Sequence, residues 1–131
     1  MIRRLLTVLL CGYLLLWIPL GIANEVLITL PSLDMRGAPA LAELAFHLLV
    51  GILCATAGWM LVVHAADARA AAALAVVASA ATSLQSLFWT ALPRQTAPGQ
   101  RLPGTLLVVA HALFWLLTIR GGHVGPREEP A

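Results

Sequence analysis

Charged side chains are scarce in this chain. They make up 11% of its 131 residues, whereas 60% are hydrophobic and the mean hydropathy is +0.90. Soluble domains keep about a quarter of their residues charged, so this composition indicates a protein that lives in a bilayer. Lysine is absent, and the formal charge of +2 is too small and too scattered to predict nucleic-acid binding. The all-arginine, alanine-rich composition is typical of a bacterial source.

Sequence motifs that carry chemistry are also missing. The two cysteines, Cys11 and Cys54, lie in apolar runs without a CxxC pair or a Cys/His spacing, and they are predicted to be packing residues. Nucleophilic serine motifs, phosphate-binding glycine loops and paired carboxylates do not occur. The sequence therefore predicts a protein that is not an enzyme and that needs no metal or other cofactor.

Four apolar runs are long enough to cross a membrane as helices. They lie at about 5–23, 40–66, 70–93 and 102–120, and charged residues bound each of them. The predicted fold is an all-α integral membrane four-helix bundle over residues 1–120, followed by a short disordered cytoplasmic tail over residues 121–131. The longest connection, at about 24–43, is predicted to be an outer loop with a short amphipathic piece at 26–30.

The distribution of arginine predicts the orientation in the membrane. Five arginines fall on the side of the two termini and three on the other side: Arg3, Arg4, Arg69, Arg120 and Arg127 against Arg36, Arg94 and Arg101. The positive-inside tendency then places both termini in the cytoplasm, with the protein in the inner (plasma) membrane. A competing interpretation is a secretory signal cleaved after Ala23, because Pro19 and small residues follow the first apolar run. Uncleaved, the same run fits a span kinked at Pro19.

Polar residues inside the spans are the candidates for function. Glu43 and His47 share one helix face with the small residues Gly51 and Gly58, which predicts a close helix–helix contact. Counted from the outer surface at 1.5 Å per residue, His47 and the fourth-span His111 lie at similar depths of about 10–12 Å. The third span brings polar groups to the same level. We therefore predict a polar layer in the outer half, flanked by Trp89 and Trp115, and its members are Glu43, His47, Gln85, Ser86 and His111.

Three roles are open for this layer. Its groups could bond to one another and fix the register of the helices, or they could form a pocket for a small ligand, a lipid head group, a quinone or a proton. His47 and His111 could also ligate a haem b iron from facing helices. A hydrolytic metal site is less favoured, because only Glu43, His47 and His111 could supply ligands.

One short stretch resembles a known family. The residues Ala23-Asn24-Glu25-Val26, followed by Thr29-Leu30, resemble the Glu-containing first helix of the small multidrug transporters, which are four-span proteins of similar length. That resemblance implies proton-coupled export of cationic drugs by an oligomer. It covers about eight residues, Glu25 is predicted to follow a full span rather than to lie within one, and the later glycine-rich helix of that family has no counterpart here.

The sequence as a whole favours a non-enzymatic membrane subunit or partner protein. Its predicted partners are the lipid bilayer and either another membrane protein or further copies of this chain, and no nucleic acid. The alternatives are a ligand- or haem-binding protein that uses His47 and His111, and a small proton-coupled transporter.

Overall fold

The computed structural model describes residues 1–92 and 96–125, and all the regular structure among them is helical. Four helical segments of this part of the chain are long and apolar enough to cross a membrane. They are Ile2–Arg36, Ala38–Val62, Ala68–Phe88 and Pro98–Arg120. The predictions of an all-helical fold and of four helices long and apolar enough to span a membrane are confirmed.

The first segment is a long composite helix, which we call the first helix. It consists of α1 (Ile2–Gly12), a π-helical turn (Tyr13–Trp17), α2 (Ile18–Thr29), a 3₁₀ turn (Leu30–Ser32) and the short α3 (Leu33–Arg36). The π turn lies just before Pro19, where the N–H of Ile18 bonds to the carbonyl of Tyr13, five residues back. Proline has no N–H and its ring clashes with a preceding carbonyl, so the wider turn accommodates the break that the sequence predicted at Pro19.

The prediction of an outer loop at about 24–43 is wrong. The chain stays helical through Arg36 and reverses at Gly37, whose φ of +80° suits glycine, and α4 (Ala38–Val62) begins at the next residue. The prediction took Pro31 as a residue that breaks a helix. It lies at the start of the 3₁₀ turn, where a missing N–H leaves few bonds unmade, so it does not end the helix.

The other helices follow the predicted spans with shifted ends. α4 ends at Val62, a tight turn with His64 at φ +56° follows, and α5 covers Ala68–Phe88. Trp89 is extended, so α5 stops before the predicted end of its span at residue 93, which lies outside the described residues. A 3₁₀ turn (Pro98–Gln100) then leads into α6 (Arg101–Arg120).

The helices pack in chain order. The first helix packs on α4, α4 on α5, and α5 on α6. Glycines allow the closest approaches: a Cβ added at Gly51 would lie 2.9 Å from Cδ1 of Ile22, and one at Gly58 would lie 2.6 Å from Cγ of Leu15. The predicted contact along the small-residue face of the second span is therefore confirmed, and its partner is the first helix.

We call the end of the bundle that carries both termini the terminal end. Near the middle of α6, Tyr13 of the first helix meets that helix, with its ring 4.8 Å from that of His111 and 6.3 Å from that of Trp115. Leu10 and Leu14 of the first helix are fully buried. This aromatic contact joins the first helix to α6 and closes the row of helices into a bundle.

The segment after α6 folds back onto the terminal end. The Arg3 side chain donates two hydrogen bonds to the carbonyl of Gly125, at 3.1 Å from Nε and 2.7 Å from Nη2, and Arg69 Nε donates to the carbonyl of Val124 at 3.0 Å. The Val124 side chain is fully buried. Residues 121–125 are thus docked rather than part of a free tail, since two arginines hold their carbonyls; the rest of the predicted tail, 126–131, lies outside the described residues.

Candidate functional site

A cavity of about 560 Å³ lies in the half of the bundle away from the terminal end. The first helix forms one wall, α4 and α5 form the second, and α6 contributes Leu107 and Val108. Trp17 and Leu107 both line the cavity, yet they are 73% and 72% exposed. We infer that the cavity opens sideways between the first helix and α6, toward the lipid that surrounds a membrane protein.

One face of α5 supplies most of the polar surface. Its hydroxyl residues recur at intervals of three and four, which aligns them along one side of a helix. The members that line the cavity are Ser79, Thr82, Ser83 and Ser86, and Thr90 continues the series beyond the helix end. α5 can carry this polar stripe within a membrane because each hydroxyl bonds back to a carbonyl of its own helix.

A second stripe lines the cavity from the first helix. Tyr13, Trp17, Gly21 and Glu25 are spaced by four residues, and Asn24 lies beside the last of them. A Cβ added at Gly21 would meet no other atom within 4 Å, so the cavity is open at this point. The first helix therefore presents an aromatic end, a gap and a polar end to the same space.

His47 lines the cavity from α4 and is 7% exposed. Its Nδ1 lies 2.7 Å from the carbonyl oxygen of Glu43, one turn earlier. A carbonyl has no proton to give, so Nδ1 must be the donor, and in a neutral imidazole this leaves Nε2 with a lone pair as an acceptor. Within residues 1–92 and 96–125, no side chain or N–H donates to that nitrogen.

The Glu43 carboxylate holds the segment that follows α5. It accepts a hydrogen bond from the Thr90 hydroxyl at 2.6 Å and another from the backbone N–H of Ala91 at 2.6 Å. The carbonyl of Ala91 in turn accepts from the Arg36 side chain at 3.3 Å. Glu43 thus performs a structural task here, because it satisfies backbone and side-chain donors where α5 has ended.

The five predicted layer residues line three different cavities. His47 and Ser86 line the 560 Å³ cavity, Glu43 and Gln85 line a neighbouring one of about 510 Å³, and His111 lines a third of about 260 Å³. His111 is an exposed residue that lies against Tyr13. Of the two flanking tryptophans, Trp115 is buried and Trp89 is exposed.

This distribution bears on the haem alternative. Two axial ligands must point into one space, and His47 and His111 line different cavities. The two cavities adjoin, because both have Tyr13, Trp17 and Ser79 in their lining, but His47 lines only the larger one and His111 only the smaller one. Across the part of the chain that the structure describes, no three His, Cys, Asp or Glu side chains come together as a metal site.

The sequence missed the first-helix residues of the cavity, Tyr13, Asn24 and Glu25. Asn24 and Glu25 were assigned to a loop because they follow a full span and precede Pro31. The spacing of four from Tyr13 through Trp17 and Gly21 to Glu25 is the pattern that could have found them. Gln85, one residue from Ser86, was placed in the predicted layer by depth alone.

Comparison with known proteins adds no relative to this picture. No family model, no curated protein and no solved structure matches the chain.

Proposed function

We propose that this small multi-pass membrane protein binds an amphipathic small molecule in the 560 Å³ cavity beside the first helix. The observation that carries the proposal is the cavity itself, which has a polar wall deep inside a protein of apolar spans and an apolar rim at its side. Its volume lies within the range of about 300–1,000 Å³ that is usual for ligand sites. The protein would act as a binding protein rather than as an enzyme.

The two sides of the cavity fit the two parts of such a molecule. Ile18, Ile22, Leu107 and Val108 offer apolar surface to a hydrocarbon chain, and the hydroxyl stripe of α5 with His47 offers hydrogen bonds to a head group. A polar wall facing an empty apolar space would leave its groups unsolvated, so an occupant with its own polar atoms stabilises the arrangement. The side opening between Trp17 and Leu107 gives a lipid-soluble molecule a route from the bilayer.

Gly21→Phe tests the proposal by filling the cavity from the first helix. The new side chain has room, because a Cβ at this position meets nothing within 4 Å. We expect the variant to fold as the wild type does and to lose at least about tenfold in affinity for amphipathic probes, since the ring takes the space of the ligand. Binding of a dodecyl-chain probe to the protein in nanodiscs, with empty nanodiscs subtracted, measures this affinity.

Gly12→Phe is the matched control. Gly12 also lies in the first helix with open space at its Cβ, but it does not line the cavity. The control is expected to bind the probe as well as the wild type. Equal losses in the two variants, or no loss in either, would contradict a site in this cavity.

We further propose that both termini face the cytoplasm, with the protein in the inner membrane of a bacterium. The support is the arginine excess on the terminal end, where Arg3 and Arg69 also contact the docked segment. A periplasm-active phosphatase fused after Ala131 should be inactive, and one inserted after Gln100 should be active. The reverse pattern would overturn this orientation and leave the proposed cavity unaffected.

A further inference from the structure

We infer that the ligand of this cavity carries a primary ammonium head group on an apolar chain. This rests on the proposed function, and it names the class of molecule that the cavity takes. The inference comes from the direction of the hydrogen bonds on the wall made by α4 and α5. The polar side chains there use their protons in bonds within the protein, so they present only lone pairs to the cavity.

The hydroxyls of α5 show this most clearly. Ser79 donates to the carbonyl of Val76 at 2.9 Å, Thr82 and Ser83 both donate to that of Ser79 at 2.8 and 2.9 Å, and Ser86 donates to that of Thr82 at 3.0 Å. Carbonyl oxygens can only accept, so the direction of each bond is fixed. A hydroxyl has one proton and two lone pairs, which leaves each of these groups with acceptor capacity alone.

The polar side chains next to the α5 hydroxyls also use their protons in hydrogen bonds within the protein. His47 donates its Nδ1 proton to the carbonyl of Glu43, which in a neutral imidazole leaves Nε2 as an acceptor. The Thr90 hydroxyl donates to the Glu43 carboxylate at 2.6 Å, and Thr96 Oγ1 donates to the carbonyl of Ser86 at 3.4 Å. The wall therefore lacks donors where it has most polar atoms, and a head group made of acceptors would find no partner there.

The first helix adds both kinds of group. Glu25 lines the cavity with a carboxyl group, whose oxygens are hydrogen-bond acceptors. Asn24 and Trp17 carry N–H donors at the exposed side, and Tyr13 carries a hydroxyl, which can donate as well as accept. The donors thus lie along the opposite wall, and they leave the acceptor character of the α4–α5 wall intact.

An ammonium group matches this wall better than a hydroxyl or a carboxylate. A primary ammonium has three N–H donors and no acceptor, so several lone pairs can replace its water shell at once. The oxygen atoms of a carboxylate or sulfate head group would face the lone pairs of this wall and could accept no hydrogen bond from it. A quaternary ammonium keeps the charge but has no proton to donate, which separates the contribution of charge from that of hydrogen bonding.

The test compares four probes with the same dodecyl chain. They are dodecylammonium, dodecyltrimethylammonium, dodecanol and dodecyl sulfate, added to full-length protein in phosphatidylcholine liposomes, which contain no primary amine. Binding is taken as the excess over protein-free liposomes of the same lipid. We expect dodecylammonium to bind at least about tenfold more tightly than dodecyltrimethylammonium, and dodecyl sulfate to show no excess.

A double variant tests whether the α4–α5 wall causes the preference for a primary ammonium. Ser83→Ala with Ser86→Ala removes two acceptors and only two local bonds within α5, so the helix is retained. We expect this variant to lose most of the difference between the primary and the quaternary ammonium. Thr56→Ala is the control, because Thr56 makes the same kind of bond, to the carbonyl of Ile52 at 2.8 Å, on an exposed face of α4 outside the cavity.

The outcomes separate the two proposals. Binding of all four probes with no preference for the primary ammonium, together with its loss in Gly21→Phe, would overturn the head-group inference and keep the cavity as a ligand site. Preferred binding of dodecyl sulfate would also overturn the inference. No excess binding of any probe would overturn the proposed function itself.

Discussion

Replacing Gly58 with leucine should separate the first helix from α4 and lower the free energy of unfolding by about 3 kcal/mol, the upper part of the usual range for overpacking. A Cβ at this position already lies 2.6 Å from Cγ of Leu15 and 3.2 Å from Cβ of Leu14. The Leu14 side chain is fully buried, and its Cβ moves only with the backbone. Rotation of Leu15 can move its Cγ, but no side-chain rotation moves Leu14 Cβ, so the further atoms of the new leucine push the first helix away from α4.

Unfolding by SDS in mixed micelles, followed by the helical circular dichroism signal, measures this change. Gly12→Leu serves as the control, since a Cβ at Gly12 meets no atom within 4 Å. Both variants replace a helical glycine and gain the same helix propensity, so the difference between them isolates the packing. Equal stability of the two variants would show that the first helix does not pack on α4 at Gly58.

The number of spans could be read from the sequence because it depends on composition alone. Twenty or so apolar residues bounded by charge form a membrane helix whatever their neighbours are, since the backbone has no other way to satisfy its hydrogen bonds in lipid. The close contact at Gly51 and Gly58 was predictable for a similar reason, because small residues at spacings of about seven mark one helix face.

The length of the first helix was not predictable in the same way. Asn24, Glu25 and Pro31 read locally as the start of a loop, and nothing in their own chemistry requires a helix there. Asn24 and Glu25 line a cavity that other helices help to form, and the local sequence does not show those helices. A local rule was overridden by tertiary structure at the residues that build the candidate site.

The candidate site was predicted in part for a geometric reason. Depth along a helix can be counted from its end, and this predicted one level for His47 and Ser86, which both line the larger cavity. The direction of a side chain changes by about 100° from one residue to the next, so Gln85 lines the cavity of Glu43 while Ser86 lines the larger one. His111 likewise has a matching depth, yet it faces Tyr13 in a different cavity.

Substitution of Glu43 is the second change from which we expect a large loss in the free energy of unfolding. Glu43→Ala removes the acceptor of the Thr90 hydroxyl and of the Ala91 N–H, each at 2.6 Å, where the chain leaves α5. Hydrogen bonds to a charged partner contribute about 1.5–3 kcal/mol, so we expect a loss of about 3 kcal/mol in the free energy of unfolding. The same SDS titration measures it.

Glu43→Gln should lose clearly less than the alanine variant. The amide oxygen can still accept from Ala91, and the amide N–H₂ can donate to the Thr90 oxygen, so both contacts persist without the charge. Thr90→Val removes one partner only, and combining it with Glu43→Ala should cost less than the sum of the two single changes, because the two side chains share one bond. Strictly additive effects would mean that Glu43 stabilises the protein through something other than the bond to Thr90. A Glu43→Ala variant as stable as the wild type would show that Glu43 has no structural role.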